Sequence, residues 1–218
     1  MSQAALAQAL GVTQAYVSQL ESGARPVSRK LAARLAALPD VRALPPTVFP
    51  TEARGFDEAD ADFAADLAAL GYPAFEPRDG HAPRNPAAVI ISILRRRHVA
   101  PAVTAAIPWV LLRFRDLDAR WLIDRARLDN LQNRLGFLTD LALALARPRT
   151  AAGRFDGAHL ERLESLRAAL DDSRLVKEDT LARELTSTER QFFQENRSDT
   201  ARYWNLLTGL TKDTLPKW

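Results

Sequence analysis

Thr13-Gln-Ala-Tyr-Val-Ser-Gln-Leu-Glu-Ser-Gly23, preceded by Ala5-Leu-Ala-Gln-Ala-Leu-Gly-Val12, predicts two short helices joined by a tight glycine turn. Leu6 and Leu10, four apart with Ala7 beside them, put one apolar stripe on the first helix. Gly11 falls where that helix must stop and the chain must turn, a position that favours a residue tolerating positive φ. Thr13 is placed to cap the second helix, its hydroxyl accepting an orphan backbone N–H. Val12 before the cap and Val17 at the fourth helical position have the spacing of a hydrophobic staple. Val17 and Leu20 then face inward, leaving Gln14, Ala15, Ser18 and Gln19 outward. Gly23 closes this helix. Ser28 caps a third, whose Leu31, Leu35 and Leu38 form another inward stripe.

These residues resemble the lambda-repressor/Cro-like regulators, the XRE type of helix-turn-helix. Their pattern runs Gln-x-x-Leu-Ala-x-x-Leu-Gly-Val-[Ser/Thr]-Gln-x-x-Val-Ser-x-x-Glu-x-Gly, with a proline after it. Gln3, Leu6, Ala7, Leu10, Gly11, Val12, Thr13, Gln14, Val17, Ser18, Glu21 and Gly23 meet it, and Pro26 falls near the proline without sharing its register. The resemblance covers about a sixth of the chain. It implies a headpiece that lays its second helix in the major groove of double-stranded DNA. By that resemblance Gln14 makes a bidentate contact to adenine, and Ala15 and Tyr16 touch a thymine methyl. Tyr16 reads equally well as a half-buried packing residue. Ser18 and Gln19 reach bases or phosphate. Gln3 grips the backbone at a helix N-terminus, Thr13 sits at the mouth of the reading helix, and Arg25, Arg29 and Lys30 supply phosphate charge. Arg34 reads as part of a solvated face. Family members carry a further helix before the first one seen here. Since this chain starts at Met1-Ser2, that helix is expected from elsewhere in the chain, from a partner, or not at all in a reduced three-helix headpiece.

Composition agrees. Thirty Lys+Arg against 27 Asp+Glu give a net charge of +3 and a pI near 9.6, basic enough to approach DNA without a basic tail. The absence of cysteine excludes disulfides, thiolate zinc sites and cysteine nucleophiles, and fits a cytoplasmic protein. The most apolar stretch, around 102–112, is interrupted by Thr104 and Pro108 and is far shorter than the roughly 20 residues of a membrane span. No membrane association is expected.

Prolines mark the joints. Pro39, Pro45, Pro46 and Pro50 make a stiff spacer, dividing the chain into a headpiece over 1–38, a linker over 39–55 and a larger domain over 56–218. Further joints fall at Pro73–Pro86 and Pro148–Gly157. Between them the period is helical, and no stretch alternates long enough for a sheet, so the fold class is all-α. Asp57 is a cap for a helix carrying Phe63, Leu67 and Leu70. Val89, Ile90, Ile93 and Leu94 form a buried face ending at Arg95-Arg-Arg97, cations that suit a helix C-terminus. That cluster has two alternative uses, on flanking DNA or on an acidic partner. Trp109 with Leu112, and Trp121 with Leu122, mark two helices separated near Asp116–Asp118. Leu128, Leu131, Leu135, Leu138, Leu141 and Leu145 form one run suited to a core or a dimer seam. Thr188 and Gln191 read as a capping box before Phe192 and Phe193, and Tyr203, Trp204, Leu207 and Leu210 as a last helical face.

Nothing here spells catalysis. His81, His98 and His159 are scattered and read as surface or packing residues; Asp116 and Asp118 stand where caps are needed, and Asp124 has no calcium loop around it. Phosphate loops, nucleophile elbows and dinucleotide fingerprints are missing, so no catalytic residue, metal site or cofactor is assigned and no enzyme is expected. Gly136 within a strong helical pattern costs about 1 kcal/mol and calls for a close approach or a bend. Arg134-Leu-Gly-Phe-Leu138 is faintly similar to an Arg-Leu-Gly-Tyr-Leu string in abortive-infection antitoxins, whose partners are nucleotidyltransferase-like toxins. The expected function is sequence-specific DNA binding by a homodimeric transcriptional regulator, its interface within 86–146. The alternative is an antitoxin or phage-defence component that neutralises a protein toxin and regulates its own operon.

Overall fold

The computed structural model describes residues 2–21, 31, 34, 62–151 and 157–216. Ten α-helices lie among them: α1 Gln3–Leu10, α2 Gln14–Glu21, α3 Phe63–Ala69, α4 Pro86–Leu94, α5 Pro101–Arg113, α6 Ala119–Leu128, α7 Gln132–Ala151, α8 Gly157–Asp171, α9 Ser187–Asn196 and α10 Asp199–Tyr203. Strands β1 (Asp179–Thr180) and β2 (Leu206–Leu207) pair in parallel, and a 3-10 turn follows at Lys212–Thr214. The fold is all-α apart from this one short bridge. No helix among the described residues is long and apolar enough to cross a membrane.

Two buried clusters form. Leu10 and Leu31 make the smaller, flanked by Leu6, Val12, Tyr16 and Leu20. The larger runs from Phe63 to Leu215. Every residue of α4 is buried, so its hydrophobic face extends all round the helix. Against it lie α3, α5 and α6, while α7 packs along both α5 and α8. Buried Asp66 ties the first of these together: Arg84 reaches it at 2.6 Å and His81 at 2.8 Å, and Arg84 also donates to Ser92 of α4 at 3.2 Å. A buried carboxylate needs such partners, because an unpaired one would be left desolvated.

Several helix limits differ from the sequence reading. The expected cap Asp57 and the linker 39–55 lie outside the described residues, and α3 is capped instead by Asp62, whose Oδ1 accepts the Ala65 N–H at 3.1 Å. Helix α5 runs through Thr104 and Pro108 rather than breaking there. The hydrogen bond proline forfeits is offset by burial of Ile107, Trp109, Val110 and Leu111 around it. Likewise α7 runs through Pro148 as far as Ala151. Asp118 does cap α6, accepting the Trp121 N–H at 2.9 Å, whereas Asp116 faces Arg162 at 4.0 Å and caps nothing.

The leucine run is not one helix. Asn130, at φ 58°, ends α6 in the left-handed conformation; its N–H donates to Arg127 O, and the Leu131 N–H to Ala126 O at 2.7 Å. That is the Schellman pattern, for which Asn is the next best residue after Gly. Leu128 is left 73% exposed, while Leu131, Leu135, Leu138 and Leu141 are buried within this chain's own core and offer no seam to a second copy. The capping box of α9 is Thr186 with Glu189, two residues before the pair expected at Thr188 and Gln191. Thr186 Oγ1 accepts the Glu189 N–H at 3.2 Å, and the Glu189 carboxylate accepts the Thr186 N–H at 3.0 Å. These bonds to Thr186, with Arg183 nearby, hold the Glu189 carboxyl below its ordinary pKa. Tyr203, Trp204, Leu207 and Leu210 do not share a helix: α10 stops at Tyr203, Asn205 turns the chain at φ 53°, and Leu207 belongs to β2.

Gly136 makes the close approach its position calls for, against an aromatic side chain. The fully buried Trp204 ring lies so near that a Cβ on Gly136 would overlap its outer edge. Trp204 Nε1 donates to Asp140 Oδ2, one turn along α7, at 2.6 Å. Arg134, two residues before Gly136, clamps Asp179 of β1 through two bonds, at 2.7 and 2.9 Å, and donates to the Leu94 carbonyl at the end of α4 at 2.6 Å. Gly136→Ala is expected to push the ring out at a cost of about 1–3 kcal/mol, seen as a lower Tm and a changed tryptophan near-UV signal; an unchanged Tm would contradict this packing.

His159 is buried, with Nε2 on the Leu111 carbonyl at 3.1 Å. Burial lowers its pKa below the ordinary 6.5, and Arg115 and Arg162 push the same way against the hydrogen bonds to Leu111 and Leu112. Above about pH 6.5 the ring is neutral in both folded and unfolded chains. As the pH falls below that value the unfolded chain takes up the proton first, so the folded state loses stability until its own pKa is reached. His159→Gln, which keeps a donor for Leu111 and does not titrate, is therefore expected to lose less stability than wild type between pH 7 and 5. Parallel melting curves across that range would refute the buried neutral ring.

Candidate nucleic-acid interface

The site is built from residues 2–21 with Leu31 and Arg34. Ser2 caps α1, its Oγ accepting the Ala5 N–H at 3.2 Å. The sequence reading left this cap unnamed, although a serine before a helical run is its usual signature. At the other end Gly11 takes φ 63°, ψ 39°, its N–H donating to Gln8 O and the Val12 N–H to Ala7 O at 3.0 Å. A side chain at this φ would be strained, so the sharp turn rests on glycine. Thr13 then caps α2 as expected, Oγ1 accepting the Tyr16 N–H at 3.2 Å.

With both ends set, the rotation of α2 follows. Val17 is buried at 1% exposure and Leu20 is half-buried, while Gln14, Ala15, Ser18 and Gln19 are all exposed on the opposite side. Small and amide side chains thus lead an uncharged helix face whose first turn points away from the protein. No acidic residue stands in the first turn of α1 or α2 to oppose a phosphate. Ser2 to Leu20 contains no charged residue at all. Tyr16 is half-buried and packs against the Leu10–Leu31 cluster, so part of its ring serves the fold. Gln3 is half-buried at the first position of α1.

Arg34 does something the sequence reading missed. Its guanidinium donates to the Leu10 carbonyl at 3.3 Å, tying the third segment to the C-terminal end of α1, where a cation meets the negative end of the helix dipole. The residue as a whole stays exposed. The cations Arg25, Arg29 and Lys30, like Gly23, Ser28 and Pro26, lie outside the described residues. Arg95, the first residue of the other basic cluster, is paired with Asp129 at 3.0 Å, and Arg96 lies over the Phe63 ring at 5.5 Å.

Residues 1–43 match the helix-turn-helix family, a segment of about a fifth of the chain that runs past the boundary expected at 38. No curated protein and no solved structure matches the chain. The N-terminal segment is a helix-turn-helix of the XRE type, a DNA-binding unit.

Thr13→Ala removes the acceptor from the Tyr16 N–H and is expected to cost the headpiece about 1 kcal/mol, with Thr13→Ser restoring most of it. Amide exchange at Tyr16 measures this directly: it should quicken about fivefold in the alanine variant, and an unchanged rate would show that Thr13 is no cap.

Proposed function

We propose that the chain is a sequence-specific transcriptional regulator that works as a homodimer on double-stranded DNA in the cytoplasm. Its parts are a DNA-reading headpiece over 1–38, a proline linker over 39–55 and a helical domain over 56–218 that serves partner binding rather than catalysis, with no cofactor. The observation that carries this reading is the exposed stripe Gln14, Ala15, Ser18 and Gln19 on a helix whose other side is sealed by Val17. A reading helix of eight residues spans few base pairs, which is why two copies on half-sites a helical turn apart are needed for operator affinity.

Gln14 holds the adenine-reading role, with Ala15 and Tyr16 beside a thymine methyl and Ser18 and Gln19 further along the groove. Gln3 and Thr13 approach the backbone from two helix N-termini, and Arg25, Arg29 and Lys30 provide the positive charge that α1 and α2 lack. A second reading makes the chain an antitoxin or phage-defence component whose helical domain sequesters a protein toxin. It rests on the faint similarity of Arg134-Leu-Gly-Phe-Leu138 to the antitoxin string, whose residues here pack β1 and Trp204 within the helical domain. A toxin-like reading frame beside the gene, and a stable complex with its product, would separate this reading from the first.

Gln14→Ala is expected to cost about 1–3 kcal/mol on operator DNA while leaving binding to scrambled DNA unchanged; equal loss on both would remove Gln14 from base reading. Arg29→Ala should weaken binding to every sequence alike and lower the slope of log affinity against log salt by about 1. A slope that does not move would place Arg29 away from phosphate.

A further inference from the structure

A cleft of about 410 Å³ opens between the end of α4, the α6–α7 turn and the loop leading into β1. Its lining holds five cations against three carboxylates, and the carboxylates are already engaged. Asp179 is clamped by Arg134 at 2.7 Å, Asp129 by Arg95 and Arg125 at 3.0 and 3.1 Å, and Glu178 by Arg197 at 3.0 Å. Arg97 and Lys177 are exposed in the cleft and have no partner among the described residues. The charge left over is therefore positive and faces solvent.

Two exposed aliphatic residues adjoin the lining residues along the chain. Leu128, 73% exposed, directly precedes the lining residue Asp129; Val176, 93% exposed, lies between the lining residues Leu175 and Lys177. The segments that carry them are anchored. Asn133 donates to the Leu175 carbonyl at 2.9 Å and accepts its N–H at 2.8 Å, and Arg127 donates to Ser173 at 3.0 Å. Apolar groups held outward in this way have nothing to gain from a phosphate backbone but can be covered by another protein. We propose that this cleft binds an acidic segment of a partner protein, its carboxylates meeting Arg97 and Lys177 and its aliphatic side chains covering Leu128 and Val176. Charge complementarity selects the partner and steers it in; the aliphatic contacts slow its departure.

This site is independent of what the headpiece reads, and the test keeps the two apart. The full chain is titrated against a fluorescein-labelled peptide of Glu-Glu-Leu repeats and against the same peptide with serine for leucine. Saturable binding that favours the leucine peptide is expected. Arg97→Glu with Lys177→Glu should lose about tenfold in affinity, and Leu128→Ser with Val176→Ser should erase the preference for leucine. Both double variants should keep wild-type melting and wild-type affinity for the DNA upstream of the gene. No saturable peptide binding, or binding indifferent to both variants, would overturn the proposal. So would displacement of the peptide by scrambled duplex DNA whose own affinity falls in the charge-reversed variant, which would make the cleft a nucleic-acid surface. Loss of a wild-type dimer in the Leu128→Ser, Val176→Ser variant would overturn it too, by making the occupant a second copy of the chain.

Discussion

Trp204 closes the helical domain. Its ring fills the space above Gly136 and its indole N–H is spent on Asp140, so one residue of the C-terminal segment satisfies both shape and polarity on α7. Arg167 of α8 reinforces the site from the side, pairing with Asp140 at 3.2 Å and lying over the rings of Tyr203 and Trp204. Tyr203 in turn donates to Asp171 at 2.6 Å. The absence of a side chain at position 136 is what lets these groups converge. A glycine that weakens the helix locally is thereby repaid by the burial of a whole tryptophan side chain.

The same turn of α7 carries Arg134, and this is why the short string Arg134-Leu-Gly-Phe-Leu138 matters. Arg134 joins the end of α4 to β1, Leu135, Phe137 and Leu138 are fully buried, and Gly136 receives Trp204. Each member has a packing duty. The string is therefore a mark of how the helical domain is assembled, and surfaces that meet partners must be sought outside it.

The headpiece was legible in its sequence because its geometry is set by local chemistry. Gly11 needs a positive φ, Thr13 has an N–H within reach, and Val17 and Leu20 lie a helical spacing apart; none of these depends on distant residues. The helical domain was legible in class and in most of its buried positions for the same reason. What escaped were features that residue pattern alone does not decide. Asn130 cuts the leucine run because its left-handed turn is satisfied by Arg127 and Ala126 together. Pro108 stays inside α5 because the burial around it outweighs one lost hydrogen bond. The Thr186–Glu189 and Thr188–Gln191 pairs are indistinguishable by pattern, and Arg183, bonded to Glu189 at 2.5 Å, sides with the first. Arg34 could not be assigned to Leu10 from sequence, since the bond joins residues 24 apart in the chain that only the folded headpiece brings together.

The exposed stripe of α2 is small and neutral, and this bears on how the proposed DNA binding would work. The α1–α2 unit contributes no positive charge, so under the proposed function affinity comes from cations beyond α2 and from a second copy, while selectivity rests with the exposed stripe of α2. The most direct test is a salt titration of the full chain against the DNA upstream of its own gene and against scrambled DNA of equal length. The account predicts binding to both that weakens with salt, with the upstream fragment held much more tightly at every salt concentration. Equal affinity for the two fragments throughout would contradict it and leave α2 as a packing helix that reads no sequence.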